Sequence, residues 1–347
     1  MKRFISILLL SLTLAAENNQ LSLTYTSLTY KDTPENHFLS LYLNLEEIYS
    51  FQSGDLELRV GLQALGILNK SDDFTLFDTI DKNRALLHSL SLDYYPTDRL
   101  LLSLGRQLLD INLLRGSFDG FLGVATFDTF SLKAFYFDRY SILDSTYYKN
   151  AEIDALYGFN FNYNQGIIDS EITYYTYYDH TVSNLYLGVH PGNFSLGAEY
   201  LSFTSNLLND EKAYKFHLGY QYQNSYMEIG YFHVYEGTLR NIFALGGTEF
   251  KNFQLQGFLD QKDAEKIYLN LKYKQNGWYA NLYYGYSTFT SLWDPSIEYT
   301  GKELGVTLSK KYGDLELSTS LLIQKSDQPW IDGERTTWLQ TQLKVRF

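Results

Sequence analysis

Apolar and polar residues alternate one for one along most of the chain, and a period of two is what a strand with unlike faces demands. Leu39, Leu41, Leu43 and Leu45 interleave with Ser40, Tyr42, Asn44 and Glu46. Leu56, Leu58, Val60, Leu62 and Ala64 interleave with Glu57, Arg59, Gly61 and Gln63. The rhythm returns in Ile267, Leu269, Leu271 and Tyr273 against Lys266, Asn270, Lys272 and Lys274, and again after Trp278. An amphipathic helix would group its apolar residues at three and four, so these segments read as strands. Beyond the first residues, nothing supplies the ~20 consecutive apolar residues of a membrane helix, and mean hydropathy is −0.26.

Short turn signals divide the strands into pairs: Ser53-Gly54-Asp55, Pro96-Thr97-Asp98, Asp128-Thr129, Gln165-Gly166, Pro191-Gly192-Asn193, Asn224-Ser225, Lys251-Asn252, Asn276-Gly277 and Gly313-Asp314. Longer connections lie between them, around residues 70–83, 142–150, 207–212, 292–297 and 325–334. Tight turns at one end and longer loops at the other are the two rims of an outer-membrane barrel. Nine tight turns imply twenty strands, an even number that returns both chain ends to the same rim. Twenty is a crowded fit for this chain when a spanning strand takes ~9–11 residues, so eighteen is an equal expectation. The least regular segments are 184–190 and 245–250. No linker or composition shift divides residues 17–347, which read as one all-β, up-and-down transmembrane barrel.

The two ends of the chain bear on where such a barrel resides. Residues 1–16 carry Lys2 and Arg3, an apolar run from Phe4 to Leu14, then Ala15 and Ala16. That order is a secretory signal peptide; the competing reading, a short buried helix, fits poorly with polar Glu17 to Gln20 directly after it. At the other end Leu339, Thr341, Leu343, Val345 and Phe347 alternate with Gln340, Gln342, Lys344 and Arg346. A terminal Phe on such a strand resembles the signal by which the bacterial barrel-assembly machinery receives outer-membrane proteins.

Composition separates a membrane barrel from a soluble sandwich, propeller or solenoid. A soluble β-protein would fill its buried face with Val and Ile on shorter strands. Here the outward positions are Leu, Tyr and Phe, aromatics reach 17%, and Tyr pairs such as Tyr94-Tyr95, Tyr147-Tyr148 and Tyr177-Tyr178 fall near strand ends. Rings with a polar tip suit membrane interfaces, where lipid and lipopolysaccharide headgroups meet the wall. The formal charge of −12 argues against nucleic acid as a partner. Zero Cys removes disulfides, thiol catalysis and Cys-ligated zinc. Eight strands would be filled by side chains, whereas ~16–18 leave an aqueous channel. By alternation the inward wall includes Arg59, Lys133, Lys215, Glu228, Lys266 and Glu303, and charges of both signs survive there because they face water or each other.

The most distinctive stretch is Leu104-Gly105-Arg106-Gln107, then Asp110, then Arg115-Gly116-Ser117-Phe118-Asp119-Gly120, followed by Lys133 to Tyr140 with Arg139 inside it. It spans the end of the fifth strand, the third outer connection and the sixth strand. Over about residues 100 to 140 it resembles the OprD-type and alginate-export-type porins, which carry a Gly-Arg-Gln near a strand end and an Arg before a Ser-Phe-acidic-Gly step. The resemblance implies an eighteen-stranded channel, monomer-like or trimeric, with Arg106 and Arg115 lining a constriction. Arg59, Asp110, Asp119, Lys133 and Arg139 complete the pore-lining candidates. A guanidinium offers a fixed fork to carboxylates or phosphates, so Arg at a narrow point guides anions. The equal alternative is that Arg106 pairs with Asp110 or Asp119 and pins a loop inward. Alternation does not decide, because Leu100 to Leu104 and Leu108-Leu109 permit either parity. The third connection is short, which points to a rudimentary inward fold and leaves another loop free to narrow the pore.

The function expected is passive diffusion of small polar or charged solutes through a charged constriction, or a more specific channel for anionic, organic-acid or saccharide solutes. A structural or adhesive barrel and an outer-membrane enzyme are the competitors. The latter has little support: His88, His217 and His233 are isolated, with no HExxH motif. An N-terminal plug has no room, since alternation begins by Leu21. Gly246-Gly247 lacks the context of a phosphate loop, and Asp72, Asp73, Asp78 and Asp81 lack calcium-loop spacing. No cofactor or metal is expected. If residues 1–16 are a cleaved signal, the N-terminal sequence of the exported protein begins at Glu17; an N-terminus at Met1 on the exported protein would refute it.

Overall fold

The computed structural model describes residues 19–29, 36–51, 55–70, 83–111, 113–143, 148–237, 246–247, 262–291, 294, 296–327 and 335–347. The first four strands are β1 (Gln20–Thr29), β2 (Asn36–Ser50), β3 (Leu56–Lys70) and β4 (Arg84–Thr97). They lead to the hairpin of β5 (Leu100–Ile111) and β6 (Leu113–Thr126), then β7 (Phe130–Leu143), β8 (Tyr148–Gln165) and β9 (Ile168–Tyr177). The second half comprises β10 (His180–Val189), β11 (Phe194–Ser205), β12 (Glu211–Tyr222), β13 (Ser225–Glu236) and β14 (Lys262–Gln275). It ends with β15 (Trp278–Thr290), β16 (Glu298–Tyr312), β17 (Leu315–Ser326) and β18 (Arg335–Arg346).

Each strand pairs antiparallel with its neighbour in sequence, and β1 closes on β18 from Gln20↔Arg346 to Thr29↔Thr337. Closure is sealed at the chain ends, where the Phe347 N–H donates to the Asn19 carbonyl at 3.1 Å. The sheet is a closed barrel of eighteen long strands plus a two-residue bridge at Gly246–Gly247. In lipid every backbone polar group needs an internal partner, and a closed ladder provides it. No helix among the described residues is long and apolar enough to cross a membrane.

Of the two strand numbers expected, eighteen is the one observed, and the reason lies between β13 and β14. These strands pair directly, from Ser225↔Tyr273 to His233↔Glu265, so no further strand stands between them in the wall. The turn signal at Lys251-Asn252 lies in that connection, outside the described residues. The other eight turn signals mark connections between consecutive strands at a single rim. Residues 184–189 of the irregular segment at 184–190 belong to β10, and the segment at 245–250 contains the Gly246–Gly247 bridge. Residues 1–16 lie outside the described residues.

Alternation sorts the wall into two faces. One row across β14, β15 and β16 is Leu269, Tyr284 and Leu304, exposed by 37%, 46% and 42%. The adjacent row, Tyr268, Gly285 and Glu303, is buried on the other face. Lys266 is also buried inward, and its Nζ donates to Glu303, whose other oxygen accepts from Gln324 Nε2 at 2.7 Å. A charge inside the barrel persists because a counter-charge and further hydrogen bonds meet it. Leu269→Arg, at mid-strand on the lipid face, is expected to cost about 2–4 kcal/mol, while Lys274→Ala on the inward face leaves stability nearly unchanged. Reversible unfolding from lipid vesicles reads both; equal effects would refute the assignment of faces.

Candidate channel constriction

The hairpin of β5 and β6 begins in the wall and then leaves it. Pairing of β4 with β5 ends at Leu90↔Arg106, and pairing of β6 with β7 ends at Ser117↔Ser141. Beyond these points β5 and β6 hold only each other, as far as Ile111↔Leu114. Meanwhile β7 closes toward β3 and β4. On an unbroken wall β4 and β7 would lie about 14 Å apart, three strand spacings. The gap left by the hairpin is narrowed, although β4 and β7 do not pair among the described residues.

The bend falls on a glycine pair. Gly105 and Gly120 face each other in register with φ of 118° and 152°. A Cβ at Gly105 would strike the Leu90 carbonyl oxygen, and one at Gly120 the Tyr136 carbonyl oxygen. Only glycine tolerates both the dihedral and the close approach.

The hairpin turns inward, as two long-range contacts show. The Tyr175 hydroxyl of β9 donates to the Leu113 carbonyl at 2.8 Å, and Tyr175 is fully buried on the inward face. Gly246 and Gly247 pair with Leu114 and Leu113. Gly246 and Gly247, which lie in the chain between β13 and β14, are therefore held beside β6, seven strands away around the wall. One face of the hairpin, with Leu109, Ile111, Leu114 and Phe118, is buried in a single apolar cluster with Phe137, Tyr140 and inward residues of later strands. The Phe118 ring lies 5.0 Å from Phe137 and 5.2 Å from Tyr140. At about 1.5–3 kcal/mol per buried large side chain, this packing holds the hairpin firmly.

The opposite face carries the charged residues. Leu104 and Leu108 are exposed while Ser103, Gln107 and Leu109 are buried, which resolves the parity that the leucine run leaves open. Arg106 sits on the exposed-parity face and grips Asp119 by two bonds, Nε to Oδ1 at 2.5 Å and Nη2 to Oδ2 at 2.6 Å. Its Nη1 also donates to the Leu87 carbonyl at 3.1 Å. Gln107 Nε2 donates to the Gly120 carbonyl at 3.0 Å. Arg106 and Gln107 thus brace the bend from both sides.

The other candidates fall into separate places. Arg139 is exposed and stands next to Asp119 in register, so Arg106, Asp119 and Arg139 form one row across β5, β6 and β7. Nearer the tip, Asp110 and Arg115 face each other in register, both exposed. Lys133 is half-buried on the β7 face that carries Phe135, opposite Asn160. Arg59 belongs to a different cluster on β2 to β5. Its guanidinium meets Glu46 at 3.1 Å and Asp93 at 3.2 Å, and Asp93 also accepts from Ser91 and Ser103 at 2.9 and 2.5 Å.

Sequence reasoning missed Tyr175, Leu113 and the Gly246–Gly247 bridge as the contacts that hold the inward hairpin. Glycines in an otherwise alternating chain were the available signal, but alternation reports only residues that stay in the wall. The inward fold is also larger than the short connection suggests, because strand residues 105–120 make the excursion instead of loop residues.

Asp119→Ala leaves the Arg106 guanidinium without its counter-charge and is expected to cost about 1.5–3 kcal/mol, measured by unfolding from vesicles. Arg106→Lys will not restore the brace, since an ammonium cannot make the planar fork. Wild-type stability in both variants would show that the pair does not hold the bend.

No family model matches the chain, and no curated protein matches it in sequence. Its structure matches OccAB4 of Acinetobacter baumannii at 16% identity and a TM-score of 0.75, covering 94% of this chain and 96% of that one. It matches OccAB1 of the same organism at 8% identity and a TM-score of 0.77, covering 95% and 96%. OpdK of Pseudomonas aeruginosa, solved with vanillate, matches at 14% identity and a TM-score of 0.70, covering 95% and 99%. The chain has the barrel fold of the OprD-like outer-membrane channels.

Proposed function

We propose that this protein is an outer-membrane channel for passive diffusion of small polar or charged solutes. The observation that carries the reading is the β5–β6 hairpin inside an eighteen-stranded barrel, met there by the connection from β13. A barrel of that width without an inward segment would be an open hole, and a segment bent into the lumen narrows it to a selective passage. Export through residues 1–16, assembly through Phe347 and contact with lipopolysaccharide belong to the same reading, as does a homotrimer.

Selectivity falls to the charges on the open face of the hairpin. Arg106 is engaged by Asp119, so it acts as a positioning residue for the bend. Arg115 and Asp110, exposed near the tip, present one charge of each sign to a passing solute, with Arg139 behind them. Arg59 is matched by two carboxylates and contributes a net negative cluster to the wall. A narrower version of the reading is a channel for organic anions, favoured by the vanillate in the OpdK structure and by Arg115 at the tip. Catalysis is not part of the proposal.

Single-channel recording in planar bilayers tests it. The folded protein is expected to conduct steadily, and Arg115→Glu is expected to shift the cation-to-anion permeability ratio toward cations by about twofold to fivefold. That corresponds to roughly 0.5–1 kcal/mol of charge interaction in a water-filled pore. Absence of conductance from a barrel that migrates as folded on unheated gels would overturn the channel reading. An unchanged reversal potential in Arg115→Glu would remove Arg115 from the constriction.

A further inference from the structure

The lipid-facing wall is not uniformly convex. Near the short-turn rim, strands β12 to β16 enclose an apolar hollow of about 500 Å³. Its upper edge is the register row Met227, Leu271, Leu282 and Val306. The next row toward the rim runs through Tyr273, Ala280 and Leu308, with Tyr222 beside it on β12. Ala280 stands between larger side chains, and the depression follows from its missing volume.

Directly below on the same face lies a cation. Lys310 is paired in register with Trp278, one outward position beyond Ala280 and Leu308, or about 7 Å nearer the rim. Its Nζ donates to the Asn276 carbonyl at 2.8 Å and sits 4.8 Å from the Trp278 ring and 4.9 Å from the Tyr312 ring. Of the ammonium's three donors the Asn276 carbonyl takes one by hydrogen bond, while the two ring faces hold Lys310 at the rim through its charge. Trp278 and Tyr312 are half or more exposed, at 50% and 65%, in the manner of rings at headgroup level.

An apolar hollow one strand step above a fixed cation matches one kind of occupant: a molecule with an anionic head and a hydrocarbon tail. We propose that the hollow seats one acyl chain of a phospholipid from the periplasmic leaflet, with the lipid phosphate on Lys310. The inference rests on reading the barrel as an outer-membrane channel, which turns the short-turn rim toward the periplasm.

Purified protein in detergent, titrated with dioleoylphosphatidylglycerol and followed by native mass spectrometry, tests this. The wild type is expected to hold one lipid preferentially. Lys310→Glu is expected to weaken that adduct by about fivefold or more, the effect of a single basic residue at an anionic surface. Ala280→Trp fills the hollow from outside and should abolish preferential binding. Dioleoylglycerol, without phosphate, and glycerophosphoglycerol, without chains, should both bind at least about fivefold more weakly than the intact lipid. Equal lipid binding by wild type and both variants would overturn the proposal, as would a wild-type oligomer that Ala280→Trp dissolves, since the hollow would then belong to a second copy. Lys310→Glu lies at the exposed rim and keeps the test decisive if Ala280→Trp does not fold. Both variants should conduct as wild type does. Normal conductance without preferential lipid binding removes this inference alone, whereas a folded wild type that never conducts removes the channel reading.

Discussion

Backbone hydrogen bonding without water governs this molecule. A strand in hydrocarbon must find partners along both edges, and the only arrangement with no free edge is a ring. The pairing of β1 with β18 supplies the closure, and the rest of the architecture inherits it. Period-two sequence follows because each strand has lipid on one side and the lumen on the other. The aromatic excess follows because a ring of strands has two interfaces to settle.

The same constraint makes the inward hairpin consequential. Where β5 and β6 depart, β4 and β7 would each be left with an open edge, and β7 moves toward β3 and β4. The departing strands keep each other's hydrogen bonds and gain a buried apolar face against Phe137, Tyr140 and their neighbours. The bend itself rests on Gly105 and Gly120, and the Arg106–Asp119 fork braces it. Charge on the hairpin thus occupies two distinct places. Arg106 is held by Asp119 at the bend, while Arg115 and Asp110 lie exposed and in register nearer the tip.

Much of this was legible in the sequence, for reasons that differ from element to element. Strands such as β3, β14 and β15 announce themselves because every second residue must be compatible with lipid. Eight turn signals were readable because tight hairpins restrict residue choice. The ninth, Lys251-Asn252, misled the count because a turn-like dipeptide says nothing about whether its flanks join the wall. In β5 the leucine run hid the parity, since both faces of a hairpin that leaves the wall are free to be apolar. Arg106 and Asp119 stood out in the sequence, yet that they grip each other across the bend is visible only in the structure.

Local chemistry along the chain was therefore enough for the class of fold, its rims and the residues worth watching, because a strand's two solvents act on each residue independently. The tertiary structure decided what depends on distant residues meeting. Tyr175 reaching Leu113, and Gly246–Gly247 pairing with Leu113 and Leu114, join segments 62 or more positions apart. No local period encodes such contacts. They arise only once the ring has closed and its interior becomes a place where a bent hairpin can bury one face and present the other.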